Sequence, residues 1–586
     1  MGLPGLVFSQ DFNPQEPLES VGLQYAEGQR VFTVNKPGQL TSEFEDYLNL
    51  SNHQLTIEAL KTSPVGTVHV LFQLQHQGIP IDYALIKVNL NADGSLKHVI
   101  LPKKFQELQI AVASQQMHRD LKLLEMHGVS NAKSTQTWVL KNGKLLPGLL
   151  IEGIDLNGEH MAILQSTDGV EYREQRSSNH RHRQATDTTI AGYVFLPDPL
   201  TTAEEIYGGS YVDNNDQTNA FLDAQRFWVE TRGSFEHDTF RLKNPFVQIH
   251  EHSLPVGPIE VSTDSNFAYH RTHFGFEQLM IVYHITEMAK YLERLGYLEV
   301  DYSIRADPHA LGGSDNSSFS AFIFPPVLNF GTGGVDDAED ADVIVHEYGH
   351  AVSHGIAPST NFGLQRKTID EGFCDYLAAA YSDEVTGIDS DRVFNWDGHN
   401  EFWSGRTVAT FEKYPWDLQN NIYEDADLWS SALIEMNRLF GRQVADSMIL
   451  QSMYSYFGDM SLSQAAILLT EAEQLLYNGQ YQNQLCDLLN SKGLLAECAV
   501  ISSTRNLQLK ATQSNFTLQH IGKALQLKSS STITAVTIYN LQGQVLFTQK
   551  ELGKQATLYP NLNQQTVLVT VMFSSGVRKT QKVYIP

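Results

Sequence analysis

The segment HEYGHAVSHGIAPSTNFGLQRKTIDEGFCDYLAA, His346 to Ala379, carries three histidines, two glutamates and two aspartates in mostly apolar surroundings. His346 and His350 are four residues apart, so on a helix they share one face. Two imidazoles so placed can bind one Zn²⁺ through nitrogen at about 2.0–2.1 Å. Glu347 follows the first histidine and projects beside the metal, where a carboxylate acts as general base. A third ligand is needed. His354 continues the spacing, but at about 1.5 Å per residue it stands roughly 12 Å along the axis from His346, too far to share an ion. In the H-E-x-x-H-x-x-G-x-x-H pattern the third histidine falls at position 356, which is Ile356 here. The next helical stretch offers Glu371 and Asp375, again four apart. One of these carboxylates can bind zinc. The other can accept a hydrogen bond from the free ring nitrogen of a ligating histidine and set its tautomer. Two histidines and a carboxylate leave a coordination position for water, whose pKa zinc lowers to about 7. Glu347 then takes a proton during attack on a carbonyl and passes it to the leaving nitrogen. That chemistry is peptide hydrolysis.

These side chains need two helices. ADVIVHEYGHAVSHGI has Val343, Ile344, Val345, Ala351 and Val352 for packing and Gly355 as a stop. TIDEGFCDYLAAAYSDE forms the second, with Asp370 as its cap. The acidic run before the first helix holds Asp336, Asp337, Glu339, Asp340 and Asp342. It offers oxygen ligands for Ca²⁺. The equal alternative is a solvated acidic loop favoured by the helix dipole.

A chain of 586 residues is too long for one core. Its formal net charge of -26 disfavours nucleic acid or an anionic membrane surface as partner. No apolar run reaches the length of a membrane span. The start, MGLPGLVFSQ, reads as the remnant of a signal peptide over 1–9, with Gln10 opening the exported protein. Residues 65–101 alternate apolar and polar, with Gly78 and Asp93-Gly94 as turns, and a helical segment precedes a second β-rich stretch around Asn142-Gly143. The domain reading is therefore a β-rich region over 10–175 and a polar, basic linker over 176–189. Arg176, Arg181 and Arg183 make that linker a processing site, while His180 and His182 read as solvated. A mostly helical domain follows over 190–500, and a C-terminal β-sandwich over 507–586. Cys486 and Cys498 can close a small loop, and Cys374 reads as a buried thiol.

The segments DVIVHEYGHAVS and DEGFCDYLA, with VFLPDP, YGGSYVDNND and FGTGGVDDAEDADVIVHEYGH upstream, resemble the gluzincin metallopeptidases of the fungalysin and thermolysin-like group. The likeness spans about 190–480. It implies a multidomain α+β chain with a thermolysin-like catalytic domain. It also implies His346, His350 and Glu371 as zinc ligands, Glu347 as base, and Asp375 as the support behind a ligand. Asn316 in DNSSF resembles the edge-strand asparagine that binds substrate backbone, and Arg406 resembles the arginine on the substrate carbonyl. In place of the group's oxyanion-donating histidine this chain has Tyr423, whose hydroxyl can donate the same bond. HVLFQLQHQGIPI resembles the group's propeptide, which implies a zymogen. The C-terminal VTIYNLQGQVLF and VRKTQKVYI resemble a type IX secretion sorting domain, implying secretion machinery as a partner and a secreted or cell-surface location. The expected activity is endopeptidase action on protein or peptide substrates. A zinc aminopeptidase ranks lower, because that class keeps a shorter spacing before its glutamate and a G-x-M-E-N strand absent here. A third reading is an exported, catalytically weak zinc-containing binding or structural protein, in which Tyr423 is a packing residue.

Overall fold

The computed structural model describes residues 24–25, 31–34, 36–50, 53–102, 105, 112–113, 130–141, 144–154, 160–166, 169–174, 187–321, 325–388, 390–495, 516–521, 524–539, 545–558, 565–573 and 578–585. The signal-peptide remnant, Asn142-Gly143, most of the helical segment at 103–129, His180, His182 and the basic stretch 175–186 lie outside them. The chain divides into two compact units, Met1–Ile501 and Ser502–Pro586.

The first unit opens with the helix Pro37–Leu48, which buries Leu40, Phe44 and Leu48 against a β-sheet. The alternating residues 65–101 become three antiparallel strands, Val68–His76, Ile79–Leu90 and Leu96–Ile100, and Gln54–Thr62, which precedes them, pairs with the first to make four in chain order. Gln77 and Gly78, with φ of 53° and 74°, form the two-residue turn between the middle strands. Positive φ at both positions matches the strand twist, which is why glycine stands there. Ser130–Lys141 then joins in parallel beside Ile79–Leu90, at Ile81 and Trp138. Trp138 is fully buried and its Nε1 donates to the His76 carbonyl at 3.0 Å. The sheet continues through Lys144–Ile154, His160–Ser166 and Gly169–Glu174.

The 190–500 region starts earlier than its composition suggests. Asp187–Val194 is already a strand, so residues 187–189 belong to it and not to the linker. It pairs with Phe227–Glu236 at the centre of a five-stranded sheet. A second sheet of four runs Val247–Ile249, Ile304–Asp307, Val327–Phe330 and Ser317–Ser320, the last antiparallel at the edge. The expectation of helices from 190 onward is thus corrected. Its first half is sheet and loop around one long helix, Gly275–Leu295, with two short ones at Pro199–Ala203 and Ala220–Asp223, because most strands there carry too few residues for a visible period. Helices dominate only from Ala341: Ala341–Ile356, Leu364–Thr386, Ala426–Phe440, Arg442–Met453, Leu462–Tyr477 and Gln482–Ser491.

Ala341–Ile356 is buried on nearly every side, His350 and His354 excepted. A helix apolar all round sits inside a core, and each of Val345, Ile344 and Val352 contributes about 1.5–3 kcal/mol by leaving water. Gly355 is not its stop. The helix runs on to Ile356, and a Cβ at Gly355 would stand 3.1 Å from the Glu299 carbonyl oxygen, so glycine serves close approach there. The second helix begins at Leu364, with Gly363 at φ 87° before it. Asp370 therefore lies inside it and is not its cap. Gly349 and Gly372 set the spacing of the helices. A Cβ on Gly349 would meet Cys374 Sγ at 2.9 Å, and one on Gly372 would meet the Ala426 carbonyl oxygen at 2.5 Å.

Cys374 is free and buried, as expected. Cys486 is disulfide-bonded; Cys498 lies outside the described residues. No helix among the described residues is long and apolar enough to cross a membrane. The second unit is β throughout its described residues. Five strands form one antiparallel sheet in which Ala524–Tyr539 changes partners along its length. Its first half pairs with Phe516–Ile521 and its second with Gln565–Phe573, while Val545–Leu558 follows it on both halves.

Candidate active site

His346 and His350 face the second helix with their rings nearly perpendicular and 4.9 Å apart. The Glu371 carboxylate lies between them, Oε2 3.5 Å from His346 Nε2 and Oε1 3.6 Å from His350 Nε2. These separations exceed a good hydrogen bond. They suit donors sharing one ion, since two ligands about 2.0–2.2 Å from a tetrahedral zinc stand roughly 3.4 Å apart. A carboxylate also lies behind each ring. Asp375 Oδ1 is 2.9 Å from His346 Nδ1, and Asp370 Oδ2 is 2.8 Å from His350 Nδ1. Each imidazole thereby presents Nε2 to the shared space as the donor, so two nitrogens and a carboxylate oxygen fit a zinc ion. A second grouping, His346, His350 and Cys374, also lies within ligand reach. Cys374 Sγ, however, stands 3.4 Å from His350 Nδ1, behind the ring, and burial pushes its thiol well up. The Nε2 side is therefore the better metal site.

Asp370 is the residue that sequence reasoning missed. It also accepts from Asn361 Nδ2 at 2.8 Å, from Arg366 Nη1 at 3.1 Å and from Ser353 Oγ. Burial pushes its carboxyl up, but Arg366 and His350 overcome this and hold it far below the usual range. Its adjacency to Glu371 was the only signal in the sequence, and the cap reading absorbed it.

Glu347 is buried, and its Oε2 makes no hydrogen bond. Burial raises its pKa against the opposing pull of both histidines, which suits a group that accepts and returns a proton. Glu371 is held at about 2: burial raises it, but His346, His350 and Arg406 outweigh that. Arg406 reaches both carboxylates, Nη1 lying 3.1 Å from Glu371 Oε2 and 2.9 Å from Asp375 Oδ1. Its guanidinium also sits over the Tyr423 ring, 5.1 Å from the centroid. Tyr423 is 54% exposed. Burial of its inner edge and the nearby Glu371 charge raise the phenol above its ordinary value, so it keeps its proton at neutral pH.

All these side chains line one cleft of about 1530 Å³, which His354 also lines. Asn316 is exposed at its rim, directly before the edge strand Ser317–Ser320. The opposite wall comes from the N-terminal sheet, with Thr56, Gln73, Gln75, Ile81 and Thr137. That sheet is fastened beyond the cleft. Lys61 pairs with Glu299 at 2.7 Å, while Lys97 and His98 reach Glu471 at 2.6 and 3.2 Å.

The acidic run is neither a solvated loop nor a single metal site. Asp336, Asp337, Glu339, Asp340 and Asp342 are all buried. They diverge because the turn at 337–339 sends successive side chains to different neighbours. Glu339 binds Arg271 and Trp396 Nε1. Asp340 caps the histidine helix and accepts from the Trp396 and Asp397 amides. Asp342 accepts from Ser382 Oγ and the Phe394 amide.

Residues 54–100 match the model of the Fungalysin/Thermolysin Propeptide Motif, and residues 505–585 match a Domain of unknown function (DUF8694). No curated protein matches the chain. Among solved structures, the precursor of protealysin, a metalloproteinase from Serratia proteamaculans, is similar at 10% identity with a TM-score of 0.36, over 45% of this chain and 90% of that one. The propeptide match coincides with the four strands Gln54–Ile100, three of which supply residues to the wall facing His346 and Glu371. Residues 54–100 thus carry the fungalysin/thermolysin propeptide motif, and they form a wall of the cleft that the H-E-x-x-H helix lines.

Proposed function

We propose that the chain is a secreted zinc-dependent endopeptidase made as a zymogen, with His346, His350 and Glu371 holding the metal. The observation that carries this reading is the Glu371 carboxylate lying between the two Nε2 atoms with buried Glu347 beside them. When bound there, zinc supplies Lewis acidity and makes water acidic enough to lose a proton near neutral pH. Glu347 takes that proton on its Oε2 and delivers it to the leaving amine nitrogen. Asp375 and Asp370 keep the histidine tautomers in place while this happens. Tyr423 donates its hydroxyl to the carbonyl oxygen as negative charge develops there. Arg406 holds Glu371 ionised, pairs with Asp375 and orients the Tyr423 ring. Asn316, at the rim of the edge strand, binds the backbone of a protein or peptide substrate.

The propeptide motif and its place on the cleft wall support the zymogen part. In this reading residues 10–175 are the propeptide, the stretch 176–186 is cut, the domain to 500 is the peptidase, and 507–586 is a β-sandwich that engages the secretion machinery. The test is hydrolysis of an unfolded protein by the full chain, before and after limited cutting in 176–186, with and without a zinc chelator. Activity that appears on cutting and vanishes on chelation is expected. No hydrolysis by cut, zinc-loaded protein overturns the reading. It would favour an exported, catalytically weak zinc protein, for which the half-exposed Tyr423 in place of a histidine is the supporting observation.

A further inference from the structure

Asp337 and Asp397 line the cleft yet are only 2% and 5% exposed, so they belong to its floor. One oxygen of each is occupied. Asp337 Oδ2 accepts from the Gly331 amide at 3.3 Å and from Ser317 Oγ, and Asp397 Oδ2 accepts from Trp403 Nε1 at 3.1 Å. The remaining Oδ1 of each is buried with no hydrogen-bond partner. Asp315, which is exposed, brings a third carboxylate within 4.8 Å of these two. Among the described residues no Lys, Arg or His pairs with any of the three. The two arginines that line the cleft are engaged elsewhere, Arg366 with Asp370 and Arg406 with Glu371 and Asp375. A buried acceptor without a donor is costly, and here the chain itself supplies no donor.

These carboxylates stand beside the H-E-x-x-H residues. Val343 lines the cleft from the same helix, one turn before Glu347 and on the same face. Asp337 is near enough to Glu347 to feel its charge. The Phe394 ring lies 5.5 Å from that of His346 and 5.6 Å from that of Trp403, whose Nε1 holds Asp397. An aromatic wall therefore runs from a histidine of the site to the buried aspartates. Gly334 shapes the entrance: a Cβ there would stand 3.0 Å from Asp315 Oδ2 and 3.1 Å from Phe402 Cγ. An apolar wall that ends in unpaired carboxylates suits a side chain with a long apolar stem and a cationic tip.

We propose that this pocket takes a lysine or arginine side chain of the substrate next to the bond that is cut, with Asp337 and Asp397 setting that specificity. The inference rests on the peptidase reading and names its substrate class. The stem packs on Phe394 and Trp403, the tip donates to the two Oδ1 atoms, and Asp315 adds negative charge at the entrance. Burial pushes both floor carboxyls well above the ordinary range, so an entering cation displaces protons from them to solvent. An apolar side chain in the same place leaves both Oδ1 atoms without a donor.

The test is the cleavage pattern of the full chain, cut within 176–186 and loaded with zinc, on an unfolded protein of mixed sequence. Mass spectrometry of the products should find lysine or arginine at one fixed position beside the cut bond. A peptide with a single lysine there should exceed its norleucine counterpart in kcat/KM by about 10²–10³-fold, the scale of a desolvated charge pair. Asp337→Asn and Asp397→Asn should each shrink that ratio by about tenfold or more. Both variants can still accept from Ser317 and Trp403, and unchanged zinc content and unfolding temperature check that they fold. Asp336→Asn, whose carboxylate groups with Glu277 and Glu339 instead, should keep the wild-type ratio. Hydrolysis with no basic residue fixed at the cut, or a wild-type ratio near one, overturns this inference and leaves the peptidase reading standing. So does an unchanged ratio in both folded asparagine variants, which puts the preference elsewhere in the cleft. If one variant does not fold, the other decides. No hydrolysis of the protein or of either peptide overturns both readings.

Discussion

His350 Nδ1 lies 2.8 Å from Asp370 Oδ2, and that contact decides which nitrogen of His350 turns toward Glu371. Asp370 is itself fixed by Arg366, Asn361 and Ser353, so His350 is braced by a network from both helices and the loop between them. Removing that brace with Asp370→Ala leaves Arg366 buried and unpaired. Zinc affinity should fall about 10–100-fold, the usual cost of losing such a partner, with some loss of stability. Metal content after dialysis against a graded chelator series checks this. Wild-type retention would show that His350 needs no brace.

Glu347→Gln and Glu371→Ala should separate the two glutamates. Glu347→Gln should keep zinc and the fold yet lose hydrolysis, since general-base catalysis contributes about 10²–10⁴-fold. Glu371→Ala should lose zinc far more readily, and Asp375→Ala to a lesser degree. Stoichiometric metal in the Glu371→Ala protein after dialysis contradicts the ligand set, and metal loss in Glu347→Gln contradicts the base assignment.

Tyr423→Phe keeps the ring over Arg406 and removes only the hydroxyl. If that hydroxyl donates to the developing oxyanion, kcat should drop about 10²–10³-fold, or roughly 2.7–4 kcal/mol, with KM little changed. Zinc content and unfolding temperature should stay near wild type. Unchanged kcat makes the ring a packing residue.

Cutting the chain within 176–186 should raise activity, because Ile81, Gln73 and Thr56 stand across the cleft from His346 and Glu347 until the N-terminal sheet leaves. Mass spectrometry of the active species should find a new N-terminus there. Replacing Glu471 by Gln removes the partner of Lys97 and His98 and should speed release of the cut fragment. Full activity of the uncut chain rules out the covering role.

His309 stands between Glu251, at 2.7 Å, and Glu277, at 2.6 Å. Burial lowers its pKa, but the two carboxylates outweigh this and raise it to about 9 from 6.5. The folded state binds that proton more tightly than the unfolded one. The stabilisation is therefore complete below about pH 6.5 and lost as pH rises through 9. His309→Gln should lower the unfolding temperature at pH 6, with the gap to wild type narrowing by pH 10. A gap independent of pH would assign His309 a packing role only.

Much of the site was legible because helical geometry is local. The spacing of His346 and His350, with Glu347 between them, determined a shared face, and Glu371 and Asp375 another. Alternation determined the N-terminal meander, and Gly78 its turn. Long-range facts were not legible. The sequence does not say that Gly349 lets the two helices approach until Glu371 lies between two imidazoles, that Gly372 seats the second helix against Ala426–Phe440, nor that Asp370 faces His350 instead of capping a helix. It did not reveal that Glu339, Asp340 and Asp342 reach Arg271, Trp396 and Phe394, since a short turn redirects each side chain and these partners lie tens of residues away. The order of residues determined which chemistry the chain can carry. Packing alone decided which carboxylate meets which nitrogen, because burial makes an unpaired charge too costly to leave where the sequence puts it.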